Sequence, residues 1–377
     1  MDRVDLRARL LSLALGAALV GLSLACGGAA PPGPAAPSAP PAAAPQSAAA
    51  AGASNPALPA PGEPPVAIRV ATCAVSGGFV QFYTALEGDL FRRYGLEVEP
   101  VTIRGSGAAL AALSTGEIQF LYCAADATVA GLASGADSKL VAAVLVGAPY
   151  VFIARPDVHT VADLRGKAVG VPRPGDMADK LTRLALQRHG LVPNEDVAIR
   201  PVGGSQPERY QAMVADIVQG NVITPPLDAQ ARKDGMNVIY DLADLGMPFV
   251  YSAVHASNAL IRDNPRLVER FVAAMGEAIV YTERNPEVAR QALRKVLGVE
   301  DAEVLDAAYD AYARKLINRR MIIPLDAIAA SIDDARAAGT GVVVSGPEEI
   351  ATNAFLEDLE RHGFFDSLAS MAEQSRP

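Results

Sequence analysis

Residues 66–123 read VAIRVATCAVSGGFVQFYTALEGDLFRRYGLEVEPVTIRGSGAALAALSTGEIQFLYC, and their periodicity decides how the rest of the chain is understood. Residues 67–72 (AIRVAT) form a β-branched run of strand length. Phe82, Leu86 and Leu90 then recur at four-residue spacing, which predicts a helix over 79–94. Gly95 follows, the residue that best tolerates the left-handed turn ending a helix. A second strand is expected over 96–103 (LEVEPVTI). Gly105-Ser106-Gly107 opens a second helix over 108–114, and 118–122 is a third strand. The order βαβαβ implies a parallel sheet with right-handed crossovers.

The unit then repeats. Strands are expected at 167–171, 197–201, 221–224 and 238–240. Helices fall at 176–189, ended by Gly190, and at 208–218. The chain is therefore expected to hold two α/β, Rossmann-like lobes joined by a hinge, with residues 249–261 crossing back to the first. Beyond it the pattern is helical. Asn264-Pro265 supplies a cap and a first-turn proline, and Leu267, Phe271, Met275 and Ile279 line one apolar stripe. Further helices are expected at 286–297, 302–316, 326–337 and 353–362, packed on the first lobe. The expected boundaries are 66–155 with 246–368 for lobe 1, 156–245 for lobe 2, and 369–377 for a tail.

The N-terminus reads as targeting rather than structure. Arg3, Arg7 and Arg9 precede an apolar run, 10–25, that is short for a membrane span and fits the core of a signal peptide. The run ends in Leu22-Ser23-Leu24-Ala25-Cys26-Gly27, which resembles a bacterial lipobox with Ser23 where leucine is usual. Two readings stand: Cys26 carries a lipid anchor to the membrane, or the leader is an ordinary secretory one and Cys26 is incidental. Either places the protein outside the cytoplasm, in the periplasm or at the cell surface. Residues 27–65 are mostly Ala, Pro, Gly and Ser and suit a disordered spacer. The formal charge of −9 over 377 residues argues against nucleic acid, whose phosphates call for a basic surface.

Several phrases together resemble the NMT1/SsuA/TauA-type (SsuA/THI5-like) substrate-binding proteins of ABC transporters. They are Ser76-Gly77-Gly78-Phe79, then Phe91-Arg92-Arg93-Tyr94-Gly95-Leu96-Glu97-Val98, then Arg104-Gly105-Ser106-Gly107-Ala108-Ala109-Leu110. Leu113-Ser114-Thr115-Gly116-Glu117-Ile118, Val161-Ala162-Asp163-Leu164-Arg165-Gly166-Lys167 and Asn264-Pro265 continue the series. Gln119 stands where the family usually has Asp, and residues 339–346 fall outside its pattern. The resemblance implies a periplasmic binding protein fold of type II. It also implies a small-molecule ligand, permease and ATPase partners, a monomer, and no cofactor, catalytic residue or metal. The ligand it implies is a small organic molecule, a sulfonate, carboxylate or pyrimidine-like heterocycle, captured in an interlobe cleft and presented to the permease.

In a parallel α/β sheet, ligands sit beyond the carboxyl ends of the strands, where helix N-termini offer free N–H groups. That places Ser76, Gly77, Phe79, Tyr83, Ser106, Asp126, Arg173, Asp176 and Thr224 in the expected interlobe cleft. Asp176 reads equally as the cap of the following helix, and Arg173 equally as a surface residue. Only one of Phe82 and Tyr83 can face the cleft. Cys73 and Cys123 end neighbouring strands and either pair as a disulfide or stay as small buried thiols.

Two other functions share the fold. Pyrimidine-precursor synthases of thiamine biosynthesis resemble this chain but carry a cysteine-rich stretch and a Lys and His in the first lobe, whereas 66–138 contains neither Lys nor His. A ligand-sensing lipoprotein acting on a signalling partner is the other alternative. Gly105-Ser106-Gly107-Ala108-Ala109-Leu110 lacks the third glycine of a dinucleotide loop, and His159, His189, His255 and His362 show no metal spacing.

Overall fold

In chain order the strands are β1 (Val66–Thr72), β2 (Leu96–Thr102), β3 (Phe120–Cys123), β4 (Lys139–Val146), β5 (Val151–Ala154), β6 (Ala168–Val171), β7 (Ala198–Pro201), β8 (Gly220–Ile223), β9 (Asn237–Asp241) and β10 (Val250–Ala256). They come from a computed structural model that describes residues 55–373 except 133, 134, 204 and 338. The leader, Cys26 and the spacer up to residue 54 lie outside the described residues. The strands form two five-stranded sheets, ordered β2-β1-β3-β10-β4 and β7-β6-β8-β5-β9. This is the two-lobed periplasmic binding protein arrangement.

The sheets are mixed rather than purely parallel. β10 runs antiparallel to β3 and β4, and β5 runs antiparallel to β8 and β9. These two strands belong to the segments that cross between lobes. The first crossing comes earlier than the expected boundary after residue 155. Val151–Ala154 already pairs in the second sheet, because the apolar run of β4 is broken at Gly147 and Pro149 and the chain leaves lobe 1 there. Gly147, at φ +109°, donates its amide to the Phe249 carbonyl at 2.8 Å, so the two crossings are bonded to one another.

The two sheets are built alike. The helices Ser106–Ser114 and Gln206–Val214, and the strands β3 and β8 that follow them, lie one hundred residues apart. Before each strand a glutamine completes the ladder: Gln119 Oε1 accepts from the Arg69 amide at 2.8 Å, and Gln219 Oε1 from the Ala168 amide at 3.0 Å. Gln119, the residue that departs from the family pattern, thus has a structural task at the strand entry.

The expected helix over 79–94 is two helices, Val80–Glu87 and Leu90–Arg93, because Asp89 takes a left-handed conformation (φ +51°) after Gly88. Behind them runs Pro265–Arg284, started by Asn264, whose side chain accepts from the Leu267 amide at 3.1 Å. The stripe Leu267, Phe271, Met275 and Ile279 is buried against lobe 1. Phe271 stacks on Phe120 at 4.1 Å and on Phe91 at 5.6 Å, which ties the helix to β3. The terminal helix Phe364–Glu373 extends into the expected tail.

The last residues of the expected spacer are seated on lobe 1. Ala57 is fully buried, and Glu63 makes an ion pair at 2.5 Å with Arg270, whose side chain is almost wholly buried. Asn55 Nδ2 donates to Tyr94 Oη at 3.3 Å, and Tyr94 Oη donates to Glu277 at 2.6 Å. The spacer reading therefore ends at residue 54, because Ala57 and Glu63 find partners that composition alone does not reveal.

His255 on β10 is fully buried, with Nδ1 2.7 Å from Thr128 Oγ1. Burial holds its pKa down to about 4, below the 6.5 of the free side chain. Between these values the unfolded chain binds a proton that the folded one refuses, so stability falls as pH falls through that window and is flat above it. Urea unfolding at pH 7 and pH 4.5 should show the wild type losing on the order of 2–3 kcal/mol more than His255→Gln.

Candidate functional site

Four loops end at one cleft. Residues 73–77 follow β1, and Arg104 and Gly105 follow β2. Ser205, Gln206 and Pro207 follow β7, and Thr224 to Leu227 follow β8. All are carboxyl ends of parallel strands, where side chains and helix N-termini converge. Leu297, Val299 and Val304, from the C-terminal helices, close one side. The space enclosed is about 760 Å³. Among the described wall residues one is charged, Arg104, which is exposed and forms no ion pair with another described residue.

Behind the wall lies a layer of aromatic rings, and two glycines make room for it. Ser76 accepts from the Gly78 amide at 3.1 Å and caps the tight turn Gly77–Phe79. Tyr251 and Tyr312 stack at 5.8 Å and 16°, and their rings lie directly on this turn. A β-carbon on Gly77 would sit 2.8 Å from Tyr312 Cε2, and one on Gly78 would overlap Tyr251 Cε1. Tyr312 belongs to a π-helical turn, Ala311–Lys315, a distortion found often at functional sites. Its hydroxyl reaches across the gap and donates to the Pro225 carbonyl of lobe 2 at 2.8 Å. Tyr150 and Phe249, on the two crossing segments, extend the aromatic group to the hinge at 6.1 and 6.2 Å.

The nine residues expected at the site are distributed as follows. Ser76, Gly77 and Thr224 line the cleft. Thr224 is held by Gln206, which accepts from its amide at 2.8 Å and donates to its hydroxyl at 2.9 Å. Phe79 is buried against Tyr122 at 4.9 Å, so its ring belongs to the lobe 1 core. Phe82 is core as well, while Tyr83 is half-buried beside Thr72, where burial raises its hydroxyl pKa. Ser106 faces a separate hollow between its own helix and Asp126–Leu132. Asp126, Arg173 and Asp176 do not border the 760 Å³ space. Asp126 is half-buried, and burial pushes its carboxyl pKa up, with Lys180 and Asp176 of lobe 2 acting on it in opposite senses. Asp176 occupies the N-cap position of Met177–Arg188 without a capping hydrogen bond, its carboxylate instead meeting Arg173 Nε at 3.4 Å.

The Sγ atoms of Cys73 and Cys123 are bonded, joining the ends of β1 and β3 with their Cα atoms 5.5 Å apart. The bond fixes the loop that carries Ser76 to the end of β3. Tyr251 and Tyr312 were not among the expected site residues. Tyr251 lies in a return strand with no motif, and Tyr312 comes from a helix whose packing no local pattern declares. Gly78→Ala should force the Tyr251 ring off the turn and lower stability by about 1–3 kcal/mol, measured by chemical unfolding, whereas Gly107→Ala, with open space around it, should cost nothing comparable.

Comparison with known proteins bears on this geometry. The family model described as NMT1/THI5 like matches residues 77–289. A Brucella abortus protein bearing the name of a binding protein is 28% identical over 242 residues, covering 63% of this chain and 74% of that protein. The riboflavin-binding protein RibY of Chloroflexus aurantiacus is 31% identical over 144 residues, 37% of this chain and 40% of RibY. Among solved structures, the periplasmic aliphatic sulphonate binding protein SsuA of Escherichia coli superposes with a TM-score of 0.64 at 21% identity, over 76% of this chain and 92% of SsuA. The fold is shared with SsuA, the matched segment spans more than half of the sequence, and the chain belongs to the NMT1/THI5-like family.

Proposed function

We propose that the protein is the exported solute-binding subunit of an ABC importer, and that its ligand is an organic anion with a flat, mainly apolar body. The observation that carries this reading is the cleft itself: a space of about 760 Å³ between two lobes, walled by proline and aliphatic groups and by Ser76, Ser205, Gln206, Thr224 and Gln230, with the unpaired Arg104 as its one charged described residue. Such a volume suits a drug-sized molecule better than an inorganic ion. The guanidinium and the N-terminus of Ser106–Ser114, which has no side-chain cap, favour a carboxylate, sulfonate or phosphate group on the ligand. The names of RibY and SsuA, a heterocycle binder and a sulfonate binder, supply the two halves of this description.

Binding rather than turnover is favoured by the wall's chemistry. Its described residues offer no histidine, lysine or carboxylate to move a proton, and no nucleophile beside a base. Export would follow from the leader, anchoring from acylation of Cys26, and delivery from closure of the lobes, read by a permease. A ligand contributes to closure only by its differential affinity for the closed form.

A thermal-shift panel of riboflavin, flavin mononucleotide, aromatic and aliphatic sulfonates, and aromatic carboxylates tests this reading. A true ligand at 100 times its Kd should stabilise the protein by about 2.7 kcal/mol. Arg104→Gln should leave the unliganded melting temperature unchanged while weakening that ligand about tenfold or more, as expected for loss of a charged hydrogen bond. Binding of neutral compounds alone, or an undiminished affinity in Arg104→Gln, would refute the anionic assignment.

A further inference from the structure

Two of the contacts that join the lobes across the cleft draw their lobe 1 partner from the segment after β10. At the inner end Tyr312 Oη meets the Pro225 carbonyl. At the rim Lys233 Nζ lies 2.7 Å from both carboxylate oxygens of Asp301 and 2.9 Å from Glu303 Oε2. Lys233 ends the lobe 2 helix Leu227–Lys233, which begins at the cleft-lining residues Pro226 and Leu227. Asp301 starts Ala302–Asp310, whose Leu305, Ala308 and Tyr309 are buried in the lobe 1 core.

The arrangement is favourable three times over. A cation at a helix C-terminus and anions at a helix N-terminus each complement the helix dipole. The two ends face one another, so the dipoles and the ion pairs act in the same direction. Asp301 is also held by its capping role, accepting from the Glu303 amide at 3.0 Å and the Val304 amide at 3.1 Å. The carboxylate is therefore already oriented, and Lys233 loses less side-chain freedom in meeting it than a partner on a mobile residue would require. Lys233 is one-third exposed, so salt reaches the pair.

We propose that Lys233 is a positioning residue for ligand capture: with Asp301 and Glu303 it forms a latch that biases the two lobes towards the closed state before any ligand arrives. This inference rests on the binding reading above, since closure matters only if the cleft holds a solute. The latch lowers the cost of closure that the ligand must offset, and so raises affinity without touching the ligand. It also makes closure depend on ionic strength, a property that the hydrogen bond of Tyr312 does not share.

Small-angle X-ray scattering of the ligand-free protein in 20 mM and 500 mM NaCl tests the latch directly. The wild type should expand with salt. Lys233→Gln should be expanded already at low salt and lose most of the salt response, reflecting a two- to five-fold shift of the open-to-closed ratio, the rough worth of a half-exposed ion pair. Asp301→Asn keeps a capping side chain and should behave the same way, at an unchanged melting temperature. Lys233→Arg should restore the wild-type response. Lys295→Gln, which breaks an ion pair between two lobe 1 helices, is the control and should change nothing. A radius of gyration and salt response in Lys233→Gln and Asp301→Asn equal to the wild type would overturn the latch. Because this readout uses no ligand, failure of the compound panel would remove the binding reading without altering the scattering result, and the reverse also holds.

Discussion

All covalent continuity between the lobes runs through two short crossings, and a hydrogen bond from the Gly147 amide to the Phe249 carbonyl joins them. That bond makes the hinge one two-stranded unit instead of two independent tethers. Each crossing feeds an antiparallel strand set among parallel ones, β5 in one sheet and β10 in the other. Both sheets therefore turn the carboxyl edges of their parallel strands towards the same gap. The position of every cleft residue follows from this. The aromatic rings at the crossings, Tyr150, Phe249 and Tyr251, pack on one another at 6.1 to 6.4 Å and support the hinge from within.

The chemistry of the gap is divided between its floor and its edge. The support beneath the floor is rigid: a disulfide, a tight glycine turn and two stacked tyrosines leave little freedom to rearrange. Charge is kept to the periphery, with Arg104 at one edge and the group Asp126, Asp176 and Lys180 elsewhere between the lobes. Such a division suits recognition in which shape is read on the floor and charge at the entrance. It also explains why the fold can be shared by binders of dissimilar solutes, since the loops at the strand ends can change while the sheets stay fixed.

Much of the architecture was legible in the sequence because local patterns carry it. The spacing of Phe82, Leu86 and Leu90, the glycine at position 95 and the Asn264-Pro265 pair act within one or two helical turns, and the repeat of strand and helix follows from them. β4 and β5 were not read, because a continuous apolar run such as residues 140–145 shows no alternation when buried on both faces. The first crossing was misplaced for the same reason. Ser76, Gly77 and Thr224 could be placed at the cleft from the sequence because they follow strand ends, a property of the local pattern. Phe79 was expected at the cleft, but its ring turns inward to Tyr122. The tyrosines at 251 and 312, and the pairing of residue 233 with 301, depend on contacts between distant segments, to which a single sequence gives no direct access.

The seated segment at the start of the described chain has a mechanical meaning. Asn55, Ala57 and Glu63 grip the lobe that also holds the C-terminal helices, through Tyr94 and Arg270. A pull arriving along the polypeptide at residue 55 is thus borne by lobe 1 and does not pass through the hinge. In the closure proposed above, the second lobe is then the moving jaw.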